Sequence, residues 1–335
     1  MVYCKSKIIC GCGRPVFTLI FTEICLKNMN IEYGSAGYFL PMLIIFVFTA
    51  VMYFALRGRS ARAQKTAVFV LAAVNVLQHL LKQFIYPHYW GDAYPDMINT
   101  AYNMCAALIL LTPFVLFLRG TVFKQFIAYV GTAAGLLTMF VPYWYIGQTL
   151  FQCDVLRYYL CHGLLFATSL LPALWGLYKF SWRDFWKMPF VFFFVLILII
   201  FNYFVFWCLG VGVDNTSESF FQTISNANPV WVMHPDEQFA FIIPVIDFFT
   251  PNIFFPQGEG GMYTPVLWYA IPITLLMWVL GFALGALIDR KNFVSDMRAF
   301  AAIFRRRAVA RVCPAAGTRV KYKKPQSALK RIKWR

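Results

Sequence analysis

Charged residues are scarce in this chain, at 13% of 335, while 60% are hydrophobic. Soluble domains carry roughly 25% charge, so the excess apolar surface must face lipid, and an ordinary soluble fold is excluded. Acids are nearly missing from the C-terminal stretch. From Asp289 to Arg335 there are 15 Lys and Arg against two acids, Asp289 and Asp296, which leaves 15 basic and 12 acidic groups in the other 288 residues. Most of the formal charge of +16 therefore belongs to the tail, and a nucleic-acid partner is not expected. The nine cysteines form no disulfide framework. Cys10 and Cys12 make a C-x-C pair without the partners a zinc site needs. No metal or nucleotide motif is present, so no cofactor is expected. An internal repeat of the transporter kind is missing, as is the alternation that a barrel would need. A cleavable signal peptide is not expected either: the apolar stretch Pro15 to Cys25 is short and carries Glu23.

What the chain does have is long apolar runs. A helix needs about 20 apolar residues to cross the hydrocarbon core. Seven segments meet this, near 39–57, 66–86, 98–118, 125–144, 155–178, 188–212 and 265–288. The expected fold is all-α, a polytopic membrane bundle of about seven transmembrane helices. Its parts are an outer N-terminal segment 1–38, a membrane domain 39–288 and a basic tail 289–335. Loop charge alternates. Arg57, Arg59, Arg62 and Lys65 follow the first span; Asp92 and Asp96 follow the second; Arg119 and Lys124 follow the third. Asp154 follows the fourth, and Lys179, Arg183 and Lys187 the fifth. Loop 213–264 has six acids and no Lys or Arg. The positive-inside rule then places the N-terminus outside and the C-terminus in the cytoplasm. Loop 213–264 is long and rich in aromatics and Pro, and is either an outer lid or a surface loop with short amphipathic helices. The tail is expected to meet anionic lipid headgroups.

Polar groups inside a span are costly and point to function by default. Asn75, His79, Lys82, Gln83 and Tyr86 fall on one face of the second span. This stripe is either the wall of a polar site or a seam of interhelical hydrogen bonds with Lys82 snorkelling to the outer edge. Cys105, His162 and His79 each lie about 10 Å below the outer surface at 1.5 Å per residue, with Asn202 a little deeper. Tyr102 and Cys105 share a face of the third helix, and Tyr158 and His162 share one of the fifth. Cys161 is turned about 100° from His162, and Asn103 about 200° from Cys105. A thiol becomes a strong nucleophile as thiolate, and an imidazole can take its proton and return it to a leaving group. The plainer account is a small apolar Cys and a His bonded to a neighbouring helix. In that case the polar layer would serve a seven-helix receptor, transporter or scaffold that binds a ligand without chemistry.

Tyr102-Asn103-Met104-Cys105, Arg157 to His162, and Asn202-Tyr203 resemble the transmembrane protein 164 family and its bacterial YwaF-type relatives. The resemblance covers about residues 35–290. It implies a Cys/His acyltransferase, or a lipid acyl hydrolase, acting on phospholipid-like substrates. Cys105 would be the acyl acceptor and His162 its base. Asn75, His79, Gln83, Asn202, Tyr102 and Tyr158 would orient the pair or stabilise the oxyanion. The implied partners are membrane lipids, as acyl donor and lipid acceptor, and the implied location is a bacterial plasma membrane.

Overall fold

The computed structural model describes residues 29–82, 97–210, 219–235, 243–256 and 263–312. It is built from helices: α1 (Ala36–Leu56), α2 (Ala61–Leu80), α3 (Met104–Val115), α4 (Val122–Phe126), α5 (Thr132–Phe140), α6 (Cys153–Leu174), α7 (Trp182–Phe185), α8 (Met188–Leu209), α9 (Phe220–Ala227), α10 (Ile243–Phe249), α11 (Leu267–Ile288) and α12 (Arg290–Val312). A π-helical turn, Ile127–Gly131, joins α4 to α5 into one span. Among the described residues, α1, the α4–α5 span, α8 and α11 are long and apolar enough to cross a membrane.

Three of the expected spans differ from that simple form. Helices α2 and α6 have the length, but carry polar side chains that are buried inside the protein. Helix α3 is short, with 12 residues. It begins at Met104 rather than near Ile98 because Asn103 stops it: the Asn103 side chain accepts the Ala106 N–H at 2.9 Å, an N-cap that competes with continued helix. Ser35 and Ser60 start α1 and α2 in the same way.

Helix α6 is the centre of the bundle. Most of its residues are buried, and it packs against α1, α2, α3 and α5. Small residues make this close approach possible. A Cβ on Gly135 would stand 2.7 Å from the His162 carbonyl oxygen, and one on Gly131 would collide with the Ser169 hydroxyl. The GxxxG pair of α5 thus seats directly on α6 beneath the histidine. The outer faces of α1, α8 and α11 leave Phe39, Leu43, Val47, Phe190, Phe194, Ile197, Val279 and Leu287 exposed. Such a continuous apolar girdle is stable in lipid.

Hydrogen bonds between elements sort the helix ends into two groups. At one end the Ile31 N–H donates to Gln148 O at 2.8 Å, and the Tyr38 hydroxyl donates to Phe140 O at 2.8 Å. At the other, Gln125 donates to Lys179 O at 3.1 Å and the Trp175 indole to Tyr53 O at 3.4 Å. The two acids of the basic tail are used at this second end. Asp289 accepts the Phe180 N–H at 2.8 Å, and Asp296 accepts the Trp182 N–H at 3.1 Å. They dock α12 onto the α6–α8 connection, so the first part of the expected tail is an ordered helix.

Loop 213–264, in its described residues, folds down onto the bundle. Ile224, Val232, Met233 and Ile246 join the main core. The Trp268 indole donates to Trp231 O at 3.1 Å, and the Thr250 hydroxyl to Trp268 O at 2.6 Å.

Candidate functional site

Three helix ends and one connection surround a cavity of about 720 Å³. The end of α2 brings His79, with Lys82 just beyond it; the start of α3 brings Cys105; α6 brings Arg157, Tyr158, Cys161 and His162. The rim comes from the α5–α6 connection, through Trp144, Tyr145, Gln148 and Gln152. Trp144 is 69% exposed at the mouth. This connection is pinned by backbone pairing with residues 29–31, where Leu150 N–H also donates to Met29 O at 2.9 Å. None of the described residues of loop 213–264 lines the cavity. The loop's described apolar residues pack on α8 and α11.

His162 is held in one orientation. Its Nδ1 lies 2.8 Å from the Tyr158 carbonyl, one helical turn back. A carbonyl only accepts, so Nδ1 carries the proton of the neutral ring, and Nε2 is the nitrogen open to a further proton. The Tyr158 ring stacks obliquely on the imidazole with centroids 4.6 Å apart, and its hydroxyl donates to Thr138 O at 2.5 Å. Both thiols, Cys105 and Cys161, line the same cavity as the imidazole.

The two thiols differ in position. The Cys161 sulfur is 3.9 Å from Nδ1, the nitrogen already committed to Tyr158, and the residue is only 5% exposed. Cys105 is half-buried and faces the cavity, with its sulfur 3.9 Å from the Thr138 hydroxyl. It occupies the first turn of α3, where the N–H groups of Met104 and Cys105 precede the first intrahelical hydrogen bond. Sequence spacing had placed Cys105 a third of the way into a longer helix, and Asn103 on a remote packing face. The cap at Asn103 moves both to the cavity.

The remaining expected residues divide into lining and support. Tyr102, Tyr158 and His79 line the cavity. His79 Nε2 is 3.1 Å from Thr100 O, and Asn202 donates to the Thr100 hydroxyl at 2.8 Å, so Thr100 ties α2 to α8. Asn75 donates to Cys161 O at 3.0 Å and accepts from Gln78 at 2.6 Å. Asn75 and Asn202 are thus absent from the lining and hold helices in place instead. Gln83 lies outside the described residues.

Charged side chains also line the cavity. Lys82 does not snorkel: it is 2% exposed, with its Nζ 4.7 Å from the centre of the Tyr102 ring. Arg157 bonds Asp154 at 3.3 Å and the Tyr145 hydroxyl at 3.4 Å. The signal for both was a cation in or beside an apolar span, which the outer-edge position explained away. Among the described residues, no group of three or more His, Cys, Asp or Glu converges as metal ligands.

Comparison with curated proteins gives no match, and comparison with solved structures gives none. The model of the TMEM164 family matches residues 33–284, a stretch that includes every residue lining the cavity. The chain belongs to the TMEM164 family.

Proposed function

We propose that this protein is a membrane-embedded acyltransferase or acyl hydrolase that forms a thioester on Cys105. The reading rests on one observation: a half-buried thiol at a helix N-terminus shares one cavity with an imidazole whose tautomer is set by a backbone carbonyl. His162 Nε2 takes the Cys105 proton as the sulfur attacks an ester carbonyl. The C–O bond then breaks, and the departing alcohol oxygen receives that proton from Nε2. In the second half, a lipid hydroxyl or water gives its proton to Nε2 and attacks the thioester, the C–S bond breaks, and the proton returns to sulfur. The free N–H groups of Met104 and Cys105 are placed to steady the oxyanion, a role expected to contribute several kcal/mol in a dry site. Cys161 is the weaker candidate because its nearest imidazole nitrogen is a donor and cannot accept its proton.

Membrane embedding at acyl-chain depth suits a lipid ester substrate. The basic end and α12 would face the cytoplasm and its anionic headgroups, with the cavity opening outward.

The test uses a fluorescent thiol-directed activity probe and a phospholipid carrying a labelled acyl chain. The wild type is expected to gain a hydroxylamine-sensitive label on Cys105. Cys105→Ser should abolish that label, and His162→Ala should slow turnover by roughly 10²–10⁴-fold. Turnover by both variants at the wild-type rate would sink the catalytic reading.

A further inference from the structure

A second cavity, of about 340 Å³, lies at the basic end and shares no lining residue with the one that holds Cys105. Trp182, Phe185 and Trp186 form one wall, at α7. Trp278 and Phe282 of α11 form a second, and Met297 and Phe300 of α12 a third. Gly281 seats α11 against the Phe185 ring, and the Asp296 bond to the Trp182 N–H seats α12 beside it. The Trp182 and Phe300 rings meet with centroids 4.9 Å apart. Every lining side chain is aromatic or methionine, and a cavity so lined offers water too few polar partners to hold it. Hydrocarbon is the occupant such walls accept, and methionine adapts to a flexible chain.

Depth and charge identify that hydrocarbon. Trp278 and Phe282 stand ten and six residues before the end of α11 at Ile288, about 15 and 9 Å in from that end of the span. That is acyl-chain depth, which a soluble partner does not reach. Cations border the same walls. Arg183 lies 5.9 Å from the centre of the Trp182 ring, and the Lys187 ammonium 5.9 Å from that of Trp186. On α12, Lys291, Arg298 and Arg305 are exposed and seven residues apart, about 140° round the helix from Met297 and Phe300. From Lys179 to Lys187 and from Asp289 to Arg305 there are seven Lys and Arg against three Asp. Each of those Asp already accepts a hydrogen bond: Asp184 from Lys187, Asp289 from the Phe180 N–H and Asp296 from the Trp182 N–H. We infer that the crevice between α7, α11 and α12 binds one acyl chain of an anionic phospholipid, with its phosphate at Arg183 and Arg298, each next in sequence to a lining residue. The attraction of a basic segment to anionic lipid thereby becomes a discrete lipid contact that holds α12 on the bundle. The site is independent of the thioester chemistry, and it requires only that the basic end reach a bilayer surface, on whichever side.

The test uses full-length protein in phosphatidylcholine nanodiscs. A small and equal mole fraction of phosphatidylglycerol or phosphatidylcholine carries a photoreactive diazirine in its acyl chain, and crosslinks are mapped by peptide mass spectrometry. Phosphatidylglycerol is expected to label the stretches 278–282 and 297–300 roughly fivefold or more above phosphatidylcholine, while Leu43 and Phe190 on the outer faces show no headgroup preference. Arg183→Gln combined with Arg298→Gln should bring the ratio toward one, and Arg183→Lys combined with Arg298→Lys should keep most of it. Raised salt should shrink the ratio in the unaltered protein, a check that needs no variant. Equal labelling by the two lipids overturns the proposal, as does a ratio that ignores salt or survives the Gln pair. Inorganic phosphate should leave the ratio where a chloride control of equal ionic strength leaves it. A loss specific to phosphate gives the seat to the free anion and overturns the lipid assignment.

Discussion

Cys105 and Cys161 flank one imidazole, and chemistry separates them. Nδ1 of His162 is bound to the Tyr158 carbonyl, so the imidazole nitrogen nearest Cys161 is a donor. Replacing Cys161 with Ala should leave probe labelling at Cys105 in place, with destabilisation of about 1 kcal/mol for the lost buried atom. Label that vanishes in this variant would move the nucleophile to Cys161. Asn103 acts through the first turn that carries Cys105. Its replacement by Ala removes a cap worth about 1 kcal/mol and should slow alkylation of Cys105, while Asn103→Ser restores both. Cys105, His162, His79 and, a little deeper, Asn202 could be read as one layer from their distances to the span ends, with Tyr102 and Tyr158 on the helix faces of Cys105 and His162. Asn103 could not, because an isolated sequence does not show where an Asn side chain will capture an N–H and halt a helix.

At the level of elements, the site depends on how close α5 comes to α6. A methyl group on Gly135 would meet the His162 carbonyl at 2.7 Å and the Phe166 nitrogen at 2.8 Å, both backbone atoms that cannot swing away. Gly135→Ala should therefore cost about 1–3 kcal/mol and depress Cys105 labelling together. Gly120→Ala, with nothing within 4 Å of the added carbon, should stay within about 0.5 kcal/mol of wild type in a thermal shift assay. Equal behaviour of the two variants would show that the α5–α6 contact does not support the histidine. The Asn75 bond to Cys161 O plays the same part from α2, and amide bonds of this kind contribute about 0.6–2 kcal/mol in membrane bundles. The Gly131-x-x-x-Gly135 spacing is visible in the sequence as a place for close helix contact. It could not say that the contact lies under the catalytic candidate, since that depends on the register between two helices.

Across the whole molecule, the basic connections and the cavity lie at opposite ends. Arg57, Arg59, Lys179, Arg183 and α12 gather where Gln125 meets Lys179 and Asp289 meets Phe180. The cavity mouth lies at the end where Ile31 pairs with Gln148. If the basic end faces the cytoplasm, Cys153, exposed beside the mouth, is reachable from outside. A membrane-impermeant maleimide added to intact cells should label Cys153. Labelling that requires permeabilised cells would reverse the orientation.

Composition alone determined that this chain is helical and lives in lipid, because 60% apolar residues in runs of span length leave no other way to satisfy the backbone. Loop charges went further and separated a basic end from an acidic one. Only the tertiary structure decided which polar residues meet. It gathered Cys105, His162 and His79 around one cavity, turned Asn75 and Asn202 into ties between helices, and drew Lys82 inward rather than out to the interface. The reason is that periodicity reports the face of a single helix, whereas the partner of a buried polar group is chosen by the helix ends, caps and close glycine contacts that pack around it.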